Sequence, residues 1–446
     1  MIVLSKTLQV ILALSILILA HELGHFTFAK LFRIRVDKFF LFFDIGGRKL
    51  FSTKSSWFVK LFPKAKEWET EYGIGWCPLG GYCKINGMID ESFDLETMKQ
   101  EPKEYEFRTK PAWQRLLVMA GGVLFNFIAA IIIYSSMLAA NGRTYIQNQG
   151  NKIYVNDLAY EMGFRTGDEI LKMDGRTPEF FSDLQADLAR KKVKKVTVLR
   201  ETDTLDLYID QAMIGEILNS DAMFDLAVPF VIDQVSQDSP NLGSGLLKGD
   251  RVTALDGQPV EYLQDCQGIL AGHKSGSIDA TVLRGDEVLD YNLQVDSLGR
   301  IGVTVEMPGV KTVRYNALSA IPAGIAYTWE MIVDYVNDLR LVATPSTQAY
   351  KSVGSFIAIG QVFPSAWDWS RFLNIMAMLS IMLGVMNLLP IPGLDGGHIL
   401  FTLYEMVTRR KPSDRFMVIA QMVGMILLFA LMFLAFGNDI SRLFKR

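Results

Sequence analysis

Cysteine is scarce in this chain: three residues in 446, at Cys77, Cys83 and Cys266. Three thiols build no disulfide framework. Cys77 and Cys83 also lack the CxxC spacing of a metal clip, so all three read as small buried or half-buried groups. An excess of charge of either sign is missing too. Lysine and arginine number 45 against 48 aspartates and glutamates, a net charge of −3. That balance gives nucleic-acid binding no support. Apolar residues are abundant instead. Half of the chain is hydrophobic and the mean hydropathy is +0.21, high for a water-soluble protein. At roughly 150 residues per domain, the length suggests about three units.

Four segments, near 7–31, 112–140, 372–391 and 416–436, are apolar for long enough to cross a hydrocarbon core of about 30 Å. The first has only Lys6 as a basic leader, and Gly24-His25-Phe26 makes a poor cleavage site. It is therefore expected to stay as a spanning helix and not to be removed as a signal peptide. The loop after the first span carries Lys30, Arg33, Arg35 and Lys38, and the loop before the fourth carries Arg409, Arg410, Lys411 and Arg415. Both should face the cytoplasm. The N-terminus, the large central region and the C-terminus then lie outside. The tail Arg442, Lys445 and Arg446 opposes this orientation and is outweighed.

Inside the first apolar run stands His21-Glu22-Leu23-Gly24-His25. On a helix this spacing puts both imidazoles on one face. Two imidazoles so placed can grip a zinc ion, and the glutamate between them can act as a base on water held there. Ionisable groups at membrane depth are costly and functional by default. The motif thus points to hydrolysis within the bilayer, in its cytoplasmic half. Two histidines leave a catalytic zinc one protein ligand short. Asp395 is the candidate, in Asn387-Leu388-Leu389-Pro390-Ile391-Pro392-Gly393-Leu394-Asp395-Gly396-Gly397-His398. Two prolines and three glycines break the helix here. Irregular backbone at this depth is tolerated only where it lines protein or a water-filled cavity. A carboxylate there needs a strong partner, and zinc is one.

The centre of the chain repeats itself. Gly163-Phe164-Arg165-Thr166-Gly167-Asp168 and, later, Asp174-Gly175 recur 82 residues on as Gly245-Leu246-Leu247-Lys248-Gly249-Asp250 and Asp256-Gly257. Self-similarity at a fixed offset marks a duplicated module. Gly-Asp opening a strand and Asp-Gly closing a tight turn predict β-rich modules. They resemble bacterial PDZ domains, the second more closely because Ser239-Pro240 precedes its glycines. Such modules either grip a peptide ligand by strand addition or stand as a steric filter. After them, 316–342 reads as a helix with an apolar stripe at Ile325, Trp329, Ile332, Val333 and Val336. An acidic stripe at Glu330, Asp334 and Asp338 lies opposite. This helix is expected at the membrane surface or against another domain.

HExxH in one span paired with NxxPxPxLDGG in another resembles the site-2 protease family of intramembrane metalloproteases. The likeness covers nearly the whole chain. It implies that His21, His25 and Asp395 bind one zinc per chain. Glu22 would take a proton from the metal-held water and pass it to the leaving amine, and Asn387 would hold the substrate backbone or steady charge near the scissile carbonyl. It also implies a transmembrane protein substrate, such as an anti-sigma factor already trimmed by a first protease, and an inner-membrane location. Pro78-Leu79-Gly80-Gly81-Tyr82 matches a stretch associated in the family with handling substrate. It is read here as a hairpin or edge strand, with Gly80 and Gly81 positioning an unwound substrate. Gly121, Gly122 and Asn126 read as a close-packing stripe, with Asn126 alternatively touching substrate. His398 is read as a supporting or packed group and His273 as an exposed turn residue. Two stretches depart from the family pattern: the lysine- and tryptophan-rich loop from Ser56 to Thr70, and Ser352-Val353-Gly354-Ser355.

The expected fold is a mixed α and β polytopic membrane protein with four transmembrane helices and two inserted PDZ-like domains. Its segments are helix 1 (1–33), a cytoplasmic loop with a membrane-associated hairpin or edge strand (34–111), helix 2 (112–140), two PDZ-like domains (141–222 and 223–308), an amphipathic helical region (309–370), helix 3 (371–408), and a loop with helix 4 (409–446). Two rival functions keep the same architecture: clearance of signal-peptide remnants, and an inert PDZ scaffold. A zinc transporter is disfavoured, because one metal cluster is visible and no relay crosses the membrane.

Overall fold

In a computed structural model of the chain, residues 2–88 and 101–444 are described. Lys445 and Arg446 of the expected basic tail lie outside them. The chain divides into two compact units. One comprises 1–142, 314–340 and 351–446; the other comprises 143–313 and 341–350.

The first unit is mainly helical: α1 (Ile2–Leu31), α2 (Ser56–Leu61), α3 (Ala112–Asn141), α4 (Ala317–Val342), α5 (Phe356–Val362), α6 (Trp369–Leu388), α7 (Asp395–Thr408) and α8 (Asp414–Phe444). Four of these, α1, α3, α6 and α8, are long and apolar enough to cross a membrane. The third span begins and ends three residues earlier than its apolar run 372–391. It stops at Leu388, at the break expected from the prolines and glycines, and a separate helix opens at Asp395, so the segment 371–408 holds most of α6 and all of α7. Pro390 and Pro392 lack the amide protons to carry a helix on, and each pushes the preceding residue out of the helical region. Ala13 and Leu17 of α1 are buried against Phe363, Phe372, Met376 and Leu379.

A four-stranded sheet joins α1 to α3: β1 (Val36–Phe43), β2 (Lys49–Ser52), β3 (Glu71–Gly75) and β4 (Cys77–Ile85), in the order β2-β3-β1-β4. Of the two readings of this stretch, hairpin or edge strand, the structure has the edge strand. β3 runs parallel to β1 and β4 runs antiparallel to it, one on each side. A single residue between β3 and β4 is too short to fold them onto each other. The aromatic strand β1, with Phe39 and Phe40, takes the centre. β4 is left at the edge.

α4 forms where expected, but its apolar stripe splits. Ile332 and Val336 pack with Tyr327, Met331 and Tyr335 around Tyr134 of α3, while Ile325, Trp329 and Val333 are exposed. Gly324 sets this rotation, because its α-carbon face lies directly against Ser135.

The second unit shows the duplication atom by atom. The buried Asp168 carboxylate takes two bonds from the Arg200 guanidinium (2.8 and 2.9 Å) and one from the Arg165 amide. Asp250 takes the same set from Arg284 (2.7 and 2.8 Å) and the Leu247 amide. In each copy the arginine also donates to the carbonyl of Gly163 or Gly245. The Arg284 hydrogen bonds hold the Asp250 carboxyl below its ordinary pKa. The two copies have separate apolar cores, one around Phe164, Ile170 and Leu188, the other around Phe230, Val252 and Val282. All three cysteines are free; Cys77 and Cys266 are buried and Cys83 partly so. His273 is about one-third exposed and sits 2.7 Å from Asp256.

Candidate metal centre

His21 and His25 fall one turn apart on α1, and their rings meet edge to face. Asp395 is the first residue of α7. Three glycines carry it there. Gly393 takes a left-handed φ of 100°, which turns the chain after Pro392. A Cβ on Gly397 would stand 2.7 Å from the Pro392 α-carbon, and one on Gly396 would overlap the Leu388 and Leu389 carbonyls. The first turn of α7 therefore tucks under the broken backbone only because these positions are bare. On α8, Gly424 admits the Pro392 carbonyl in the same way.

The three ligand atoms form a nearly equilateral triangle. His21 Nε2 lies 3.1 Å from Asp395 Oδ2, His25 Nε2 lies 3.3 Å from it, and the two nitrogens are 3.2 Å apart. A tetrahedral zinc with arms of about 2.0–2.1 Å has ligand–ligand edges of about 3.3 Å. The triangle thus matches one face of that tetrahedron. His25 Nδ1–H donates to the Val118 carbonyl at 2.8 Å, which leaves the lone pair of Nε2 facing the triangle. Asp395 Oδ2 is buried without a hydrogen-bond partner. A bare nitrogen beside an orphaned carboxylate oxygen is the arrangement a cation would satisfy. Space for one is kept by Gly122 of α3, where a Cβ would come 2.5 Å from His25 Nε2 and 2.8 Å from His21 Nε2. Among the described residues this is the one cluster of three metal-binding side chains.

Asn126, one turn beyond Gly122, touches His21 Nδ1 at 3.1 Å through its amide, while its Oδ1 is buried and unpartnered. Turning the amide over gives that oxygen the Nδ1 proton and frees Nε2 for a metal. From sequence Asn126 reads as a packing or substrate contact; the structure sets it beside His21. Its four-residue step from Gly122 keeps both on one stripe of α3, and the crossing of α1 and α3 turns that stripe to the histidines. Asn387 stands beside the triangle, its amide 3.4 Å from His21 Nε2. Glu22 accepts a hydrogen bond from the Cys83 backbone, which ties it to β4.

His21, Glu22, His25, Asn387 and Asp395 line a cavity of about 680 Å³, together with Gly80, Gly81, His398 and Gln421. Lys38 and Asp44, which sequence reading did not single out, line it too. Burial pushes the Asp44 carboxyl up, but the Tyr82 hydroxyl at 2.8 Å and the Lys38 ammonium at 3.1 Å outweigh it, and the net direction is down. The result is an ion pair at the cavity wall. Gly81 lets β4 lie close to α1, because a Cβ there would meet Ile18 at 2.7 Å, and Gly80 similarly faces the Phe43 ring.

The profile of peptidase family M50 matches residues 9–431. The chain belongs to that family, the site-2 proteases. Among similar proteins, the regulator of sigma E protease of Salmonella typhi is 29% identical over 97% of this chain and 98% of its own length. The regulator of sigma-E protease RseP of Escherichia coli is 28% identical over the same shares. A Xylella fastidiosa protein whose name assigns it to the zinc metalloproteases is 28% identical over 96% of this chain and 97% of its own. As an M50 peptidase the chain is a metalloendopeptidase, with four helices among the described residues able to span a membrane.

Proposed function

We propose that this M50 peptidase is a zinc-dependent intramembrane endopeptidase that cleaves a transmembrane segment of a membrane-anchored substrate. The observation that carries this is the ligand triangle of His21, His25 and Asp395, set beside Glu22 among helices apolar enough to cross a bilayer. Zinc bound there supplies a Lewis acid that polarises the scissile carbonyl and makes water a nucleophile near neutral pH. Glu22 takes the proton of the attacking water and passes it to the leaving amine. Asn387 hydrogen-bonds the substrate backbone beside the scissile carbonyl. Removing metal with a chelator should abolish cleavage of a single-span substrate in proteoliposomes. Zinc should restore it and magnesium should not, since magnesium prefers an octahedral oxygen shell. Cleavage by metal-free enzyme would refute the reading.

Asn126 orients His21 in this proposal. Asn126→Leu should weaken zinc binding by about 10–100-fold, the usual cost of losing a partner behind a ligand. Asn126→Asp, which can still accept from Nδ1, should restore much of it. Competition with a fluorescent zinc chelator measures both.

A helix hides its carbonyls, so the substrate must unwind before it is cut. β4 offers an edge on the cavity wall to which an extended segment can add as a further strand. Changing Gly80 and Gly81 to proline would remove amide protons from that edge. The expected result is lost cleavage with zinc content unchanged; normal turnover of the double variant sinks the strand-addition step.

The relatives named as regulators of sigma-E protease support a signalling role in a bacterial inner membrane. By that likeness the substrate is an anti-sigma factor already shortened by another protease. The duplicated modules are PDZ-like in this reading and lie on the outer side, with the metal in the cytoplasmic half of the bilayer.

A further inference from the structure

The loop between β2 and β3, one of the two stretches that depart from the family pattern, is a built element. Lys54 Nζ donates to the carbonyls of Ala65, Lys66 and Trp68 at 3.1, 3.0 and 2.6 Å, closing the loop from inside. Ala65 is fully buried beneath it. The aromatic rings of Phe51, Trp57, Phe58, Trp68 and Tyr72 then meet in a chain of mostly edge-to-face contacts, with centroids 5.4–6.3 Å apart. Despite this order, the outer side is apolar and open. Trp57 is 57% exposed, Leu61 66%, Phe62 50% and Trp68 43%. Four large apolar side chains within twelve residues of a fixed loop form a patch that water disfavours.

Its position says what covers it. Glu69, next to Trp68, is ion-paired with Lys30 in the last turn of α1. Phe26, one turn earlier, packs edge to face on Phe39 and Tyr72 at 5.3 and 6.0 Å. The patch is thus tied to the very end of a helix able to span the bilayer, at headgroup depth. Exposed Lys60, Lys64 and Lys66 stand among the apolar residues. Tryptophan and lysine together suit that layer, the rings sitting at the boundary and the long aliphatic stems reaching outward to phosphate. We propose that Trp57, Leu61, Phe62 and Trp68 insert into the headgroup layer of the membrane that α1 crosses. The three lysines hold anionic lipid there, and the loop braces the β1–β4 sheet against the bilayer.

The test uses the full chain in lipid nanodiscs, with its tryptophans replaced biosynthetically by 5-fluorotryptophan. Trp57→Phe and Trp68→Phe serve only to assign two fluorine resonances. Expected is strong broadening of both by lipids carrying a nitroxide near the headgroup, and little by a water-soluble gadolinium chelate. Broadening by gadolinium alone means that the patch lies in water; broadening by neither means that protein covers it. Either outcome overturns the proposal. In the variant Lys60→Gln, Lys64→Gln, Lys66→Gln, nitroxide broadening should fall in discs containing phosphatidylglycerol and stay unchanged in pure phosphatidylcholine. Equal behaviour in both lipids overturns the role given to the lysines.

Discussion

Replacing Gly122 with alanine is expected to remove metal and activity together while leaving the protein folded. The added methyl would stand 2.5 Å from His25 Nε2, 2.6 Å from His21 Cε1 and 2.8 Å from His21 Nε2. Neither ring can retreat freely. His25 is pinned by the Val118 carbonyl, and His21 by Asn126. If the rings swing away, the triangle opens; if they stay, the methyl occupies the place of the ion. Zinc affinity should fall by more than the roughly 10–100-fold that loss of an outer partner costs. Folding should not suffer in proportion, because alanine favours a helix over glycine by about 1 kcal/mol. Metal content by mass spectrometry, helicity by circular dichroism and cleavage in proteoliposomes separate these effects. A folded variant with full zinc and normal turnover would show that the ion sits elsewhere. Gly24 and Gly121 give a contrast. Each faces the other's carbonyl where α1 crosses α3, so alanine there pushes the helices apart and should cost stability before it costs metal.

The residues that meet at this centre were legible in the sequence because their chemistry restricts them. A helix fixes where His21 and His25 point, and an acidic residue at membrane depth after Pro390 and Pro392 has few reasons to exist. Their neighbours were harder to read. That Asn126 reaches His21 depends on how α1 and α3 cross, and two bare glycine surfaces set that crossing, with no periodicity to reveal it. The order β2-β3-β1-β4 was hidden for a similar reason. Strand pairing is non-local, and alternating aromatic and small residues from Tyr72 to Ile85 suit a hairpin as well as two strands flanking a third. The split stripe of α4 shows the limit of amphipathicity. Where lipid is an available neighbour, an apolar face need not turn inward, so Ile325, Trp329 and Val333 carried no information about which side meets α3. The tandem modules lie at the other extreme. Their Gly-Asp and Asp-Gly signals are local, and the matched Asp168–Arg200 and Asp250–Arg284 pairs follow from them.

Glu22→Gln should leave zinc in place and stop hydrolysis, and this pairing of outcomes is what makes it informative. Glu22 is outside the triangle; its carboxylate is held by the Cys83 backbone and not by the ligands' shared vertex. Glutamine keeps the size and can still accept from the Cys83 amide, so neither the cavity nor β4 has cause to move. What it cannot do is take a proton. Loss of a positioned general base costs about 10²–10⁴-fold in rate, and no other carboxylate of the metal cluster is free to substitute. Asp395 lies across the triangle, and as the proposed third ligand it would use the lone pairs that proton transfer requires. The measurement is cleavage of a reconstituted substrate beside metal content of the same preparation. A substrate complex that accumulates on the variant would strengthen the assignment, since binding through β4 and Asn387 does not need the proton step. Retained turnover would move the base to another group on the cavity wall, and zinc lost with activity would make Glu22 part of the metal's support. The first result would take Glu22 out of the proton step and leave the three-ligand triangle as it stands; the second would add Glu22 to what holds the metal.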